Sequence, residues 1–161
     1  VGRKPSSPRY FCSAVSNKLE NPFVLESTKP LLEATANDKY RSLAVGRVSV
    51  YKAGGLYIAL QNSRYWDEER RKELSGMTLL RSTDGLNWER HQGNPLLVPA
   101  ERGWASAHII GADVRYKSDE ACWYCYFSAT GEKKYGFFRE SIGLLIGKVP
   151  HLRKSRLLRI D

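Results

Sequence analysis

Two cysteines lie three residues apart in the segment Cys122-Trp123-Tyr124-Cys125, a C-x-x-C spacing that elsewhere binds zinc or carries out redox chemistry. Here the spacing falls inside a predicted β-strand, where residues three apart point to opposite faces of the sheet. The two thiols therefore favour neither a disulfide nor a shared metal, and Cys12 is isolated in the sequence. Three thiols, an odd number, are typical of a reducing compartment, so we predict a cytoplasmic protein.

The three histidines, His91, His108 and His151, share no spacing that is typical of metal ligands. A metal site needs several His, Cys or carboxylate groups that can reach one ion. We therefore predict neither a metal site nor a cofactor. The chemistry that remains open belongs to carboxylates, arginines and aromatic rings, whose positions depend on the elements that carry them.

The chain repeats itself with a period of 65 residues, so that residues 23–60 align with residues 88–127. A two-residue insertion in one turn interrupts the register, which then returns to 65. The clearest matches are Gly46 with Gly111, Tyr51 with Tyr116, and Leu79-Leu80 with Leu144-Leu145. A repeat of this size is typical of stacked supersecondary units that bury their apolar faces against one another.

Each unit reads as four short antiparallel strands joined by Gly- and Asp-containing turns. The first full unit has predicted strands at 43–52, 56–62, 77–82 and 88–98, and the second at 109–117, 122–129, 141–148 and 152–160. The segments 10–16 and 22–32, before the first unit, match the third and fourth strands alone. The charged stretch 66–74 is helix-like and is predicted to be a solvent-exposed excursion between strands two and three.

The end of the first unit carries a motif, RSTDGLNW at 81–88 followed by GNPLL at 93–97. It resembles the S-x-D-G-x-x-W…G-x-P-(hydrophobic) blade ending of five-bladed glycosidase propellers, which include invertase-like, arabinanase/xylosidase-like and mannoside-phosphorylase-like groups. Residues 140–144 resemble the third-strand opening of these families, and residues 111–114 resemble their first-strand D-P-x-V without the proline. Within the motif, Asp84 is predicted to form an Asx-type turn and Trp88 to pack between blades.

The resemblance covers about residues 10–150 and implies an all-β fold. Four-stranded antiparallel units in series are the blades of a β-propeller. We therefore predict a single partial-propeller domain over 1–161, with a half blade at 10–33 and full blades at 34–99 and 100–161. This is about two and a half four-stranded antiparallel blades of the five-bladed type.

Cleavage of a glycosidic bond commonly uses two carboxyl groups, one protonated and one ionised. The resemblance implies an acid near the start of the innermost strand of each of the first two blades and a glutamate from the third. Asp113 and Glu140 stand at such motif positions and are the candidate catalytic residues. The counterpart of Asp113 one repeat earlier is Val48, and both candidates lie in one blade, which favours a protein without catalysis. Their structural alternatives are an aspartate bonded to backbone amides and a glutamate paired with Arg139.

Trp66 and Trp104 are placed in loops at strand ends, at the rim that borders the central cavity of a propeller. Sugars present apolar C–H faces that stack on aromatic rings, so both are candidate carbohydrate platforms. Arg47 and His108 flank the same cavity and could bind hydroxyl groups or a phosphate. The alternative for each tryptophan is packing at a blade interface.

Five blades of 65 residues need 325 residues, about twice the 161 of this chain. One such chain cannot close a ring and would expose strand edges, so either it is a fragment or two chains assemble. Two copies of two and a half blades sum to five. We therefore predict a homodimer that completes the propeller.

The chain has 26 basic and 17 acidic residues and a formal charge of +9. The excess lies at the two ends, in Arg3, Lys4, Arg9, Lys148, Arg153, Lys154, Arg156 and Arg159. Clustered cations favour contact with phosphates, but no nucleic-acid-binding motif accompanies them, and basic edge strands also deter aggregation. Nucleic acid is therefore the least favoured partner. No apolar run reaches the roughly 18–20 residues that span a bilayer, so we predict no membrane association.

These patterns predict a carbohydrate-associated propeller protein that lacks catalysis. The first alternative is a glycoside hydrolase or phosphorylase-like enzyme that acts through Asp113 and Glu140 once the ring is complete. The second alternative is a basic nucleic-acid-associated module.

Overall fold

The computed structural model describes residues 10–53, 55–132 and 139–148. These residues form eleven β-strands, a short 3-10 helix at Lys39–Arg41 and no α-helix, which confirms the predicted all-β class. The strands are β1 (Tyr10–Phe11), β2 (Ala14–Val15), β3 (Val24–Leu25), β4 (Leu32–Glu33), β5 (Ala44–Ala53), β6 (Leu56–Asp67), β7 (Lys72–Ser82), β8 (Glu89–Arg90), β9 (His108–Lys117), β10 (Cys122–Thr130) and β11 (Glu140–Lys148). The predicted strand at 152–160 lies outside the described residues.

One sheet holds seven of the strands, in the order β11-β10-β9-β7-β6-β5, with β8 also paired to β7. It consists of two antiparallel units, a first unit of β5–β8 and a second unit of β9–β11. A single parallel bridge between Ser75 and His108 joins them. The short strands β1–β4 pair as β1 with β4 and β2 with β3, and the sheet does not close on itself within the described residues.

The pairing register shows the internal repeat directly. Each unit has a bulge with one extra residue in its first strand, between Val45 and Val48 in β5 and opposite Ser128/Ala129 in β9. Asp113 pairs with Tyr126, and the equivalent pair in the first unit is Ser49 with Leu60. The counterpart of Asp113 is thus Ser49, and the prediction of Val48 was wrong by one residue. The longer turn that precedes β10 shifts both of its strands, because the two-residue insertion is shared between them.

The helix-like interpretation of residues 66–74 was wrong. The charged stretch is the end of a β-hairpin, since β6 continues to Asp67 and β7 begins at Lys72. Tyr65 and Leu74 pair across the hairpin and are 2% and 1% exposed, so the alternation of buried residues continues through the charged segment. Trp66 accordingly lies within β6 and not in a loop.

The predicted fourth strand at 88–98 is largely irregular. Only Glu89–Arg90 forms a regular strand, and Leu97 adds an isolated bridge to Met77 beyond a cis peptide bond between Asn94 and Pro95. The segment nevertheless runs along β7, because the Leu79 carbonyl and amide bond the Asn94 side chain. The edge is therefore covered mainly by side-chain and isolated backbone contacts.

Two apolar clusters hold the layers together. One lies between the two units and contains Leu60, Met77, Ile109, Ala112, Phe127 and Ala129. The other lies between the first unit and the strands β1–β4 and contains Leu32, Val45, Ala59 and Leu80, with Trp88 packed against it. Asp84 accepts hydrogen bonds from the backbone amides of Leu86 (2.8 Å) and Asn87 (2.7 Å), and these bonds hold its pKa well below the usual range. The predicted structural roles of Asp84 and Trp88 are confirmed.

The outer face of the second unit carries four exposed apolar side chains, Tyr126, Ile142, Leu144 and Ile146. Burying such a face against a second chain would remove apolar area from water. The homodimer stays a prediction. We expect light scattering at micromolar concentration to give twice the mass of one chain, and the double variant Ile142→Lys/Ile146→Lys to give a single mass. A stable monomer of the unmodified chain would contradict it.

No helix in the described part of the chain is long and apolar enough to cross a membrane.

Candidate functional site

A row of polar side chains crosses five neighbouring strands at one end of the sheet. Cross-strand pairing joins Arg64 of β6 to Ser75 of β7, and His108 of β9 to Thr130 of β10 and on to Glu140 of β11. The Ser75–His108 bridge connects the two groups, and paired residues share a face of the sheet. We call these five residues the polar row. Together with Asn62 and Ile110 they line an open cavity of about 400 Å³.

The first unit holds β9 in place beneath this cavity. The Ser75 hydroxyl donates to the Ile109 carbonyl (2.9 Å), and the Asn62 side-chain amide donates to the same oxygen. Further along, the Ser49 hydroxyl donates to the Ala112 carbonyl (3.0 Å). Side chains of β5, β6 and β7 therefore satisfy carbonyl groups along the edge of β9 that β10 leaves unpaired, which fixes the position of His108.

The charge state of the polar row is set by an ion pair next to it. Arg64 pairs with Glu73, which lies on the neighbouring strand β7. The half-buried position of His108 lowers its pKa, and the nearby Arg64 and Lys72 lower it further, against the opposing effect of Glu73. At neutral pH the imidazole is consequently uncharged, so that it can both donate and accept a hydrogen bond.

We expect the free energy of unfolding to depend on the protonation of His108. The unfolded histidine has an ordinary pKa of 6.5 and the folded one a lower value, so the unfolded state binds the proton more readily. Stability should therefore fall as the pH drops below about 6.5, until the folded-state pKa is passed. Urea unfolding at pH 7.5 and 5.5 should show a smaller pH-dependent loss in His108→Gln than in the unmodified chain. Equal losses in the two proteins would contradict the assignment.

Thr130 stands out within the polar row because its hydroxyl has no partner among the described residues. The residue is 4% exposed, and its Oγ1 atom makes no hydrogen bond to any of them. Leaving a buried hydroxyl unpaired costs about 1–3 kcal/mol. Since Thr130 lines the cavity, a polar group of a bound molecule could supply the missing hydrogen bond.

Trp104 lies on the opposite face of the second unit from the polar row. Its ring stacks on Phe127 with centroids 5.7 Å apart and an interplanar angle of 22°. Phe127 is three residues from Thr130 on β10, an odd spacing that places it on the other face. The structure therefore supports the interface role for Trp104, which remains 48% exposed. Its loop is fixed by Arg70, which donates to the carbonyls of Ala100 (2.9 Å) and Pro99 (3.2 Å).

Trp66 is closer to the polar row. It is two residues from Arg64 on β6, so both side chains emerge on one face of that strand. Its indole nitrogen donates to Glu68 Oε2 at 3.3 Å. Trp66 does not line the 400 Å³ cavity, but it stands at the next position towards the hairpin end.

Asp113 and Arg47 line a second depression, of about 170 Å³, with Gly111, Ala112, Tyr126, Phe127, Ser128 and Ile142. Asp113 is exposed and accepts hydrogen bonds from the Tyr51 hydroxyl (2.8 Å) and Arg115 Nη1 (3.0 Å). Its partners are therefore side chains, and the predicted bonds to backbone amides are not what the structure has.

The two candidate acids, Asp113 and Glu140, are not brought together. Asp113 is five residues from His108 along β9, which corresponds to about 16 Å at the rise of a β-strand. Glu140 pairs with Thr130 at the His108 end of the sheet. Carboxyl pairs that cleave a glycosidic bond are about 5–10 Å apart. Glu140 also makes no ion pair with Arg139 within the described part of the chain.

Among solved structures, this protein is similar to one described as "Glycoside hydrolase", with a TM-score of 0.64 and 18% identity over 92% of its own length and 38% of that structure's. A second, described as a complex of BT0996 with RGII, has a TM-score of 0.59 and 16% identity over 76% of this protein and 36% of that one. No protein-family model matches the sequence, and no curated protein matches it significantly. The protein has a glycosidase-like all-β fold. It spans well under half the length of each of these structures, and at such identities the likeness concerns the fold alone.

Within this fold, the described residues bring His108 and Glu140 into one cavity and Asp113 and Arg47 into another. Sequence reasoning missed Arg64, Ser75 and Thr130, which complete the polar row. The internal repeat held a signal for them, since Arg64 and Thr130 are equivalent by pairing, as are Ser75 and Glu140. Extending the repeat beyond the predicted ends of the strands would have found them.

The cysteines take no part in this site. Cys122 is buried, Cys125 is half-buried, and all three cysteines are free thiols. Burial raises the pKa of the Cys125 thiol, which keeps it protonated at neutral pH. Among the described residues no group of three or more His, Cys, Asp or Glu side chains is arranged to hold a metal ion.

Proposed function

We propose that this chain forms part of a carbohydrate-binding β-propeller and that the polar row binds a saccharide without cleaving it. The observation that carries the proposal is the buried hydroxyl of Thr130, unpartnered among the described residues, in an open polar cavity. Around it stand a neutral imidazole, a serine hydroxyl and a side-chain amide, which can donate to and accept from the hydroxyl groups of a sugar.

The propeller part of the proposal is supported by the repeat. The two units have the same pairing register and the same bulge, and they pack face to face through the Leu60–Phe127 cluster. Antiparallel units that stack in this way are the building blocks of a propeller. The TM-score of 0.64 to a glycoside hydrolase supports the same arrangement.

The absence of cleavage is supported by the distribution of the acids. Glu140 is the single carboxylate that lines the 400 Å³ cavity among the described residues, and Asp113 belongs to the other depression. A glutamate alone can accept hydrogen bonds from sugar hydroxyls, but the general acid and base of a glycosidase are two groups.

Calorimetric titration with a panel of neutral oligosaccharides tests this proposal. We expect saturable binding by the unmodified chain, and an affinity about threefold to tenfold weaker in His108→Ala, which loses a neutral hydrogen bond. His91→Ala is the matched control, because His91 is exposed and bonds the Gly93 amide far from the polar row. Failure of every saccharide to bind would contradict the proposal, as would equal affinities of the two variants.

A second candidate function is glycoside hydrolysis, and one observation favours it. Glu140 shares the cavity with a histidine that is neutral at neutral pH, which provides a carboxylate and a group able to transfer a proton. Aryl glycosides distinguish the two functions. Product release that is lost in both Glu140→Gln and Asp113→Asn would establish the enzyme, whereas binding without product supports our proposal.

The basic chain ends, which underlie the nucleic-acid alternative, lie outside the described side chains. No described residue favours that alternative.

A further inference from the structure

The depression that holds Arg47 adjoins the polar row. Ser128 and Ile142 line it, and each is two residues from a member of the row, Thr130 on β10 and Glu140 on β11. Residues two apart on a strand share a face and are separated by about 7 Å. The polar row and this second depression, which we call the arginine depression, therefore form neighbouring parts of one surface.

Arg47 is directed into this depression by backbone geometry. It lies in the β-bulge of β5, between Val45 and Val48, and takes no part in the pairing with β6. Bulges turn a side chain away from the direction that regular alternation would give it. The side chain then lies flat against Gly111, because a Cβ added at Gly111 would stand 3.2 Å from Arg47 Cδ and 3.4 Å from Nη1. The absence of a side chain at position 111 is what allows this approach.

The guanidinium of Arg47 has no partner among the described residues, with which it forms neither a hydrogen bond nor an ion pair. The nearest carboxylate that lines the depression, Asp113, is already engaged by the Tyr51 hydroxyl and by Arg115. Arg47 differs in this respect from Arg64, Arg81 and Arg90, each of which is paired with an acidic residue. A held but unpaired guanidinium presents a planar fork of donors that matches a carboxylate.

We infer that Arg47 receives the carboxylate of an acidic saccharide whose neutral hydroxyl groups occupy the polar row. The ligand class is an oligosaccharide that contains a uronic acid. The inference rests on the proposed function, since it assigns the substituent that sits beside the bound sugar. The Ser128 hydroxyl, which lines the same depression, is placed to bond the second carboxylate oxygen or the adjacent sugar hydroxyl.

The test compares one uronic-acid oligosaccharide with the same oligosaccharide after its carboxyl groups have been reduced to alcohols. The unmodified chain should bind the acidic form about tenfold more tightly, as expected for hydrogen bonds to a charged group. In Arg47→Met the ratio of the two affinities should fall towards one, and in Arg47→Lys it should be intermediate. Arg81→Met is the control for overall charge, because Arg81 is exposed and lies on the first unit away from both depressions; its ratio should stay at the unmodified value.

Three outcomes would overturn the inference. Equal affinity of the unmodified chain for both forms would do so while leaving the proposed function intact, because neutral saccharide would still bind. Binding of neither form would contradict both. Inorganic phosphate, titrated alone and followed by the amide signal of Gly111, covers a free-anion site; if phosphate moves that signal and the acidic saccharide does not, Arg47 binds a free anion and the saccharide assignment is wrong.

Discussion

Replacing Gly143 by alanine should lower the free energy of unfolding by about 1–3 kcal/mol, the usual cost of inserting an extra carbon into a packed interior. A Cβ at this position would stand 2.5 Å from Phe127 Cζ and 2.7 Å from Trp104 Cη2. Phe127 belongs to the cluster between the two units, so its ring has little room to move. Urea unfolding should show the loss, and near-UV circular dichroism should show a changed environment of Trp104.

Gly147→Ala is the matched control. Gly147 is on the same strand and the same face, four residues further along, and its Cβ would meet only Trp123 Cβ at 3.9 Å, an ordinary contact. Its free energy of unfolding should stay within about 0.5 kcal/mol of the unmodified value or rise slightly. If both variants lost the same stability, the stack of Trp104 on Phe127 would not be the cause.

Thr130→Val should change stability and binding in opposite directions. Valine has nearly the same shape but no hydroxyl, so the substitution removes a buried polar atom that has no partner among the described residues. We expect the free energy of unfolding to rise by about 1 kcal/mol, at the lower end of the cost of an unpaired buried hydroxyl. Saccharide affinity should fall about threefold to tenfold, because the hydrogen bond completed by the ligand is lost. Unfolding and calorimetric titration measure the two effects on the same preparation.

Thr78→Val separates this effect from a general response to losing a threonine hydroxyl. Thr78 is equally buried, but its hydroxyl lies 3.2 Å from Gln61 Oε1 and donates within the first unit. The variant should therefore lose stability, while its saccharide affinity stays unchanged. A loss of stability in Thr130→Val would mean that its hydroxyl is bonded in the folded chain, and unchanged affinity would remove Thr130 from the binding site.

The anchoring of the loop before β9 explains why these effects remain local. Arg70 bonds two carbonyls of that loop, and Lys72 forms an ion pair with Glu132 after β10. The end of the β6–β7 hairpin is therefore connected to both segments that flank the cavity. Ser75, Thr130 and Glu140 sit on regular strands behind these connections, and rigid elements position binding groups more accurately than loops do.

The strands themselves were largely predictable, because their signal is local. The predicted strands at 43–52, 109–117, 122–129 and 141–148 agree with β5, β9, β10 and β11 to within one residue at each end. The Asp84 turn and the packing of Trp88 also follow from short-range chemistry, namely an aspartate that bonds amides two and three residues ahead. The one clear failure, at 66–74, arose because charged residues at a hairpin end resemble an exposed helix when burial is unknown.

The sequence by itself determined the strands, their alternation, the 65-residue repeat and the identity of His108 and Glu140 as residues worth testing. The tertiary structure alone decided that these two share a cavity with Arg64 and Thr130, and that Asp113 does not. The physical reason is that alternation and turn chemistry act over a few residues, whereas the neighbours of a strand depend on contacts between distant segments. One bridge between Ser75 and His108 joins the two units, and one bulge in each unit shifts the register on which every facing residue depends.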